Sequence, residues 1–202
     1  MALLHQATLT PSKLELLQQF VPGRSWFTDG GPLEAIGAFR WDDPAGEVGI
    51  ETHIVRSGDG LFQLPVTYRR AEYPSAELIG TTEHSVLGHR WVYDGCTDPA
   101  YVNALAVALF TGAPQAELWY DVDGTPERRE PSVRVTVDGE RSEVPLIDDV
   151  SVIDEDLSTL IRAGGCEFVV QRVLGDAVPG RARLTGTWDG QDIPVGLAAV
   201  RV

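Results

Sequence analysis

The fold of this chain is decided by residues 78–112, which read LIGTTEHSVLGHRWVYDGCTDPAYVNALAVALFTG. Apolar runs at Leu78–Thr82 and Arg90–Tyr93 predict two short strands. Asp98-Pro99 predicts the start of the main helix, because aspartate is a good N-cap and proline fits the first turn. Gly112 predicts its end, since glycine readily adopts the left-handed conformation found after helices. The stretch therefore indicates a sheet covered by a helix.

An antiparallel hairpin is predicted just before this stretch. Apolar and polar residues alternate over Glu47–Arg56, which is typical of a half-buried strand. A turn at residues 57–60 leads into a second alternating run, Leu61–Arg69. Pro65 lacks an N–H group, so we expect it at a sheet edge or a bulge. Leu33–Trp41 is a further strand candidate.

A short helix is predicted near the N-terminus. Thr10 is expected to cap it and Pro11 to occupy its first position. Leu14, Leu17 and Val21 would share one face, and the following proline and glycine would end the helix.

The second half of the chain is predicted to be rich in strands. Residues 123–132, DGTPERREPS, form the best internal boundary. It separates a first region, 1–122, from a β-rich region, 131–202, which we expect to pack on the same domain. Four strands are predicted there: Val133–Val137, Glu167–Leu174, Ala182–Trp188 and Ile193–Val200.

Turns and one helix complete the prediction for this second region. Asp138-Gly139 and Asp189-Gly190 are typical of hairpin turns. The acidic stretch Asp148–Asp156 is expected to lead into a short helix, Glu155–Arg162, ended by Gly164-Gly165. The fold class is thus α+β, a curved antiparallel sheet with helical cover and additional C-terminal strands.

The composition excludes several classes of partner. The chain has 202 residues, with 16 basic and 30 acidic side chains and a formal net charge of −14. Such a charge repels nucleic acid and anionic membrane surfaces. There is no apolar stretch near the ~18 residues of a membrane helix, and no basic segment followed by a long apolar run. Two cysteines, Cys96 and Cys166, fit a reducing compartment. We expect a cytoplasmic protein.

Catalytic and metal motifs are absent from the sequence. His84 and His89 are separated by five residues, which fits neither H-E-x-x-H nor a zinc-finger spacing. The sequence contains no G-x-S-x-G, no phosphate-binding glycine loop and no dinucleotide fingerprint. We therefore assign no catalytic residue, no metal ligand and no cofactor, and the sequence favours a protein that is not an enzyme.

Five tryptophans leave two interpretations open. Aromatic rings bind sugars by stacking, but most tryptophans are buried anchors of the core. Under the first interpretation the candidate ligand-binding residues are Trp26, Trp91 and Trp188, with Glu83 and His84 as polar partners.

Four segments resemble a known family. The run at 22–27, PGRSWF, resembles the P-G-x-R-W-F element of actinobacterial maltokinases. Residues 63–69, QLPVTYR, and 91–95, WVYDG, with Asp98-Pro99, resemble two further segments of the N-terminal cap of those enzymes. The run at 186–191, GTWDGQ, resembles small actinobacterial proteins that are similar to this cap.

The resemblance implies a cystatin-like cap, a curved antiparallel sheet with helical cover, over residues 10–112. It does not extend to the kinase core, whose catalytic loop needs an Asp two residues after a His. None of the four histidines is followed in this way. The resemblance thus implies the fold of the cap without phosphotransfer.

Two functions follow as hypotheses. The first is a non-catalytic, cap-like protein that acts as a binding or regulatory partner of a sugar kinase or another enzyme of glucan or trehalose metabolism. The alternative is a stand-alone protein that binds or modifies carbohydrate, using tryptophans and carboxylates in a cleft of the sheet. The position of the tryptophans, exposed beside carboxylates or buried, discriminates between them.

Overall fold

The computed structural model describes residues 2–4, 7–28, 30–122, 125–175 and 177–201. The described part is mostly β, with a curled sheet and two helices. This confirms the mixed, largely antiparallel class predicted from the sequence.

The strands of the first half are Ala2–Leu4 (β1), Leu9–Thr10 (β2), Glu34–Trp41 (β3), Gly49–Ser57 (β4), Gly60–Arg69 (β5), Leu78–His84 (β6), Gly88–Asp94 (β7) and Leu118–Val122 (β8). Those of the second half are Thr125–Arg129 (β9), Val133–Gly139 (β10), Ser151–Asp154 (β11), Ser158–Ala163 (β12), Cys166–Gln171 (β13), Val173–Leu174 (β14), Ala182–Trp188 (β15) and Gln191–Arg201 (β16). The helices are Lys13–Phe20 (α1) and Pro99–Thr111 (α2), and short 3-10 turns cover Val21–Gly23 and Gly95–Thr97.

The first sheet has the order β2-β6-β7-β5-β4-β3, and β14 also pairs with β5. One of its faces is covered by α1, where Leu16 and Leu17 pack against Phe62, Leu64 and other buried residues of the sheet. This core also contains Trp26.

The opposite face of the first sheet packs against α2 and the second sheet. The second sheet has the order β10-β15-β16-β13-β12-β11. Residues of both halves of the chain, such as Ile54, Leu105 and Phe168, belong to one core cluster. Helix α2 therefore lies in a core that both sheets share. A third, small sheet joins β1, β8 and β9.

The predicted ends of the main helix are confirmed, whereas the first helix begins later than predicted. The Asp98 side chain accepts a hydrogen bond from the Ala100 N–H, and Gly112 ends α2 in the left-handed conformation. In α1 the cap is Ser12, which forms a capping box with Glu15. The prediction of Thr10 as the cap was wrong, because the reciprocal Ser12–Glu15 bonds satisfy the first N–H groups of the helix.

The prediction of an edge or bulge at Pro65 was also wrong. Strand β5 is central, with β4 along one side and β14 and β7 end to end along the other. Pro65 falls between the segments that pair with β14 and β7, so no ladder bond needs its missing N–H group. Gly95 fills this gap, and a Cβ there would lie 3.0 Å from the Pro65 side chain.

The prediction of a helix at Glu155–Arg162 was wrong: strand β12 occupies most of this segment, and β11 lies in the acidic stretch before it. Acidic residues before the segment and a Gly-Gly pair after it resemble helix ends. The glycines instead form the hairpin turn between β12 and β13, with φ of 57° at Gly164 and 72° at Gly165. Two successive residues with positive φ match the twist of a hairpin. Because glycine is also typical of helix ends, the Gly-Gly pair alone did not distinguish a hairpin turn from the end of a helix.

The predicted boundary contains a strand, and one of the two predicted Asp-Gly turns differs from the structure. Strand β9 lies within the predicted boundary 123–132, while residues 123 and 124 fall outside the described residues. Gly139 ends β10 at its pairing with Ala182 rather than making a hairpin, and the chain continues without regular structure to residue 150. The turn at Asp189-Gly190 is confirmed as the link between β15 and β16.

Replacing Trp188 by alanine is expected to destabilise the protein. The side chain is 5% exposed and lies in the core cluster shared by the two sheets. Truncating a buried tryptophan costs about 3–5 kcal/mol because it leaves a cavity. Urea unfolding of Trp188→Ala measures the loss. Ile193→Ala is the control, since Ile193 is 76% exposed on the next strand, and its change should stay within about 0.5 kcal/mol. Equal midpoints for the two variants would contradict the assignment of Trp188 to the core.

Candidate functional site

The segments that carry the family resemblance meet at the centre of the molecule. Strand β5 contributes Gln63, Thr67 and Arg69, and the end of β7 contributes Asp94. The buried Gln63 amide donates hydrogen bonds to the carbonyl oxygens of Gln171 and Leu197 in the second sheet, each at 3.0 Å. Gln63 thereby joins the first sheet to the second.

Asp98 connects the first sheet to α2. Its carboxylate is fully buried and accepts hydrogen bonds from the Thr67 hydroxyl at 2.6 Å and from Arg69 at 2.8 and 2.6 Å. The same carboxylate caps α2 through the N–H of Ala100 at 2.9 Å. One side chain thus fixes both the start of the helix and its position on the sheet, through a charge-assisted bidentate pair.

Asp94 and Arg172 form a buried ion pair between the two halves of the chain. Arg172 is 1% exposed, and its Nη2 lies 2.5 Å from the Asp94 carboxylate. Arg172 stands between β13 of the second sheet and β14, which pairs with the first sheet. Its backbone is held too, because its N–H donates to Leu157 and its carbonyl accepts from Gln63. Side chain and backbone therefore join the sheets at the same residue.

Burial controls the titration of the groups around this pair. Burial raises the pKa of Asp94 above its ordinary value, although Arg172 acts to lower it. Burial also raises the pKa of the Cys96 thiol, which neighbours the pair. A thiol with a raised pKa is a poor nucleophile. The surroundings of the pair are thus suited to structure and not to nucleophilic chemistry.

A chain of polar contacts extends from Arg172 towards the surface. The Thr159 hydroxyl accepts from Arg172 at 2.7 Å and donates to Asp154 at 2.6 Å. The Trp26 indole N–H also donates to Asp154, at 3.2 Å. Arg24 lies 3.8 Å from Asp154 and binds Glu77 with two hydrogen bonds. The contacts link β11 and β12 to the segment that follows α1.

A second polar cluster surrounds Glu51 on the face covered by α1. Its Oε2 atom lies 2.5 Å from Lys13 Nζ and 3.3 Å from His53 Nε2, and accepts from the Tyr68 hydroxyl at 3.1 Å. Arg40 is 3.9 Å from Oε1. Burial acts to raise the pKa of Glu51, but the charges of His53, Lys13 and Arg40 outweigh it and hold this pKa well below its usual range. An ionised carboxylate held in this way fixes the start of α1 on the sheet.

A cavity of 370 Å³ beside α2 is the best candidate for a small-molecule site. It combines an aromatic ring, small apolar residues and polar groups from the end of β3, one face of α2 and the loop after α2. The Trp41 indole N–H has no hydrogen-bond partner among the described residues. Its lining includes Trp41, Asp42, Asn103, Val107, Pro114 and Glu117.

The five residues predicted from the sequence as ligand-binding lie in three places. Trp26 is 1% exposed in the core under α1, and Trp188 is buried in the core shared by the sheets. Glu83, His84 and Trp91 lie on the hairpin of β6 and β7. The structure therefore does not bring the three tryptophans together.

On this hairpin the polar residues are engaged locally. His89 stacks edge-on against Trp91 with ring centres 4.3 Å apart, and its Nδ1 lies 2.5 Å from Glu83. His84 Nδ1 accepts hydrogen bonds from the N–H groups of Val86 and Leu87 in the turn. Trp91 remains partly exposed, so this is the part of the predicted set that a ligand could reach.

No group of three or more His, Cys, Asp or Glu side chains within the described ranges is placed to hold a metal ion. No helix among the described residues is long and apolar enough to cross a membrane.

Sequence reasoning missed Arg172, Glu51 and Trp41. Arg172 follows an apolar strand without any local motif, and its partner is 78 positions away. Glu51 is an ordinary polar position of an alternating strand, and its cluster forms only when β3, β4 and β5 pair and α1 packs on them. Trp41 ends a predicted strand, where an aromatic residue is ordinary. Their roles depend on contacts that are distant along the chain.

Replacing Arg172 by methionine is expected to cost about 3–5 kcal/mol of stability, because it leaves the buried Asp94 carboxylate without its charged partner. The double variant Asp94→Asn with Arg172→Met should recover part of this loss. Urea unfolding of the single and double variants forms a double-mutant cycle.

The control for this cycle is Arg183→Met. Arg183 pairs with Asp138 but both side chains are at least half exposed, so its loss should stay below about 1 kcal/mol. A cost for Arg172→Met no larger than that of the control would refute the role of the pair in joining the sheets.

One family model matches part of the first half of the chain. Residues 20–98 match the family model of the maltokinase N-terminal cap domain. The match begins at the end of α1 and stops at Asp98, so it contains Gln63 and Asp94 but not Arg172. No kinase-core family was found, and neither a curated protein nor a solved structure matches the chain. The resemblance inferred from the motifs is thus confirmed: residues 20–98 are similar to the maltokinase N-terminal cap domain.

Proposed function

We propose that this chain is a non-catalytic protein of maltokinase-type glucan or trehalose metabolism, acting as a binding or regulatory partner of a sugar-phosphorylating enzyme. The observation that carries the proposal is that polar residues of the cap motifs form hydrogen bonds within this same chain. Gln63, Asp94 and Asp98 bind the second sheet and α2, so the matched segment is completed by residues 99–201 of the same chain.

The chemistry of phosphoryl transfer supports the non-catalytic part of this proposal. A kinase needs a catalytic aspartate and aspartate or asparagine ligands for magnesium around a nucleotide. The sequence has no H-x-D element, and the buried carboxylates Asp94, Asp98 and Glu51 are held by arginine or lysine. A carboxylate that is already paired and buried is poorly suited to bind a metal nucleotide.

The proposal also includes a cystatin-like fold for the cap, a single packed unit formed by the two regions, and a cytoplasmic location. The curled antiparallel sheet with α1 on one face supports a cystatin-like cap. The shared core supports regions 1–122 and 131–202 acting as one packed unit. Two free thiols, Cys96 and Cys166, support a cytoplasmic location.

The test has two arms. The purified protein is incubated with ATP, magnesium and maltose or glucosamine, and no sugar phosphate is expected. The tagged protein is then used to capture partners from cytoplasmic extract at low and high salt. A sugar-metabolising enzyme should be recovered, with less at high salt because the acidic surface contributes to association.

Two results would overturn this proposal. One is sugar phosphate formed at a rate that scales with the protein and survives repurification. The other is capture of no sugar-metabolising enzyme at either salt concentration.

A second candidate function, saccharide binding, is favoured by the cavity at Trp41. Its volume suits a mono- or disaccharide, and the Asn103 amide and the Asp42 and Glu117 carboxylates in its lining are groups that can form hydrogen bonds with sugar hydroxyls. Trp41 is 7% exposed and belongs to the core, so the polar groups rather than ring stacking would carry recognition. The Asn103 side chain forms no hydrogen bond with another described residue, so it is available to a ligand hydroxyl.

Titration with maltose, followed by tryptophan fluorescence and calorimetry, tests this candidate. Asn103→Leu should weaken binding at least tenfold by removing a donor and an acceptor from the cavity wall. Glu34→Gln, an exposed change on the same strand as Trp41, is the control and should bind as the parent does. Absence of binding at millimolar maltose, or an equal effect of both variants, rejects the cavity as a saccharide site.

A further inference from the structure

The edge of the second sheet formed by β11 is open. Strand β11 pairs with β12 on one side and is the last strand of the sheet among the described residues. All four of its residues, Ser151–Asp154, are exposed. Open edges invite pairing with another extended chain, and proteins usually cover them.

The register shows which backbone groups are free on this edge. The Glu155 N–H donates to the Ser158 carbonyl at 2.7 Å, and the pairing continues as Ile153 with Leu160. Inward and outward residues alternate in an antiparallel ladder. The N–H and C=O groups of Val152 and Asp154 therefore point away from β12, where a further strand would pair.

Apolar side chains accompany these groups. Ile153 is 52% exposed, and Leu157 is also exposed just beyond the strand. At the other end of β11 the edge continues into a groove of 730 Å³ whose lining includes Leu146, Asp148, Asp149, Arg162 and Gly165. Leu146 is 79% exposed. Edge and groove together can hold an extended segment with apolar side chains.

The charge of this surface is strongly negative. Residues 148–156, DDVSVIDED, contain five acidic residues and no basic one. Asp148, Asp149, Glu155 and Asp156 are exposed. Arg162, which faces the groove, is neutralised by Glu167 at 2.8 Å. A second copy of the chain paired on this edge would bring the two acidic sets together, which is unfavourable.

We propose that the β11 edge, defined as residues 148–157, binds an extended segment of another protein in which lysine or arginine alternates with apolar residues. The backbone of Val152 and Asp154 would supply the ladder bonds, Ile153 and Leu146 the apolar contacts, and the four exposed carboxylates the selection for basic residues. This deepens the function proposed above, on which it rests for the identity of the partner, by naming the surface and chemistry of recognition.

Binding is tested with short labelled peptides and the full chain, using fluorescence anisotropy. One peptide alternates valine with lysine, and its counterpart alternates valine with glutamate. The lysine peptide should bind, with an affinity that falls as salt increases, and the glutamate peptide should not. Absence of lysine-peptide binding overturns the proposal.

Variants separate edge pairing from general attraction. Val152→Pro removes an outward N–H without removing a bond to β12, and should weaken binding at least tenfold. The pair Asp148→Lys with Asp149→Lys should do the same, and does not depend on the folding of the proline variant. The control pair, Asp189→Lys with Asp192→Lys, makes the same charge change at exposed positions of the hairpin of β15 and β16, and should change affinity less than threefold.

Three further outcomes would overturn the proposal. Equal weakening by the two lysine pairs indicates general electrostatic attraction. Unchanged binding by a folded Val152→Pro variant excludes edge pairing. A dimer in sedimentation that Val152→Pro abolishes shows that a second copy occupies the edge.

The partner capture described above is repeated with Val152→Pro to keep the two proposals distinct. If the parent and the variant capture the same sugar-metabolising enzyme equally, the proposed function stands and the β11 edge is wrong. If the lysine peptide binds at the edge but no such enzyme is captured, the edge stands and the proposed function fails.

Discussion

The buried ion pair between Asp94 and Arg172 is the constraint on which the rest of the structure depends. Removing two charges from water is costly, and such a pair persists only where further hydrogen bonds hold both partners. Here Thr159 binds the guanidinium and the Cys96 N–H binds the carboxylate. Because Arg172 stands where the chain leaves one sheet and joins the other, the pair sets the relative position of the sheets. The shared core around α2 can close only when that position is correct.

This arrangement explains why residues that look functional in the sequence serve the fold. The segment QLPVTYR presents Gln63, Thr67 and Arg69 on the face of β5 that meets α2 and the second sheet, because successive side chains alternate in direction. Pro65, on the same face, packs against Gly95. A motif that places polar residues at alternate positions of a central strand can therefore be maintained by internal hydrogen bonding alone. Sequence similarity in this segment therefore indicates a shared fold and does not by itself indicate a shared activity.

The parts of the fold that could be predicted from the sequence are those with local causes. The start and end of α2 depend on Asp98 and Gly112, and the strands around it depend on alternation within a few residues. The stretch 148–163 could not be predicted, because acidic residues and a glycine pair serve helix ends and hairpins alike. Only pairing with β13 decides between them. The polar network around Arg172 could not be predicted either, because Arg172 is far from Asp94 along the chain.

The edge strands of the sheets differ in how their outward backbone groups are covered. The Ser132 hydroxyl binds both backbone groups of Ala38 on the outer side of β3. The Gln115 side chain binds the Val133 carbonyl and the Val135 N–H on the outer side of β10. At these positions side chains take the place of a missing strand, so these backbone groups are not free to pair with another chain. Strand β11 has no comparable cover among the described residues, and its flanking carboxylates repel a second acidic copy. An edge protected by charge alone excludes acidic chains but can still pair with a chain of opposite charge.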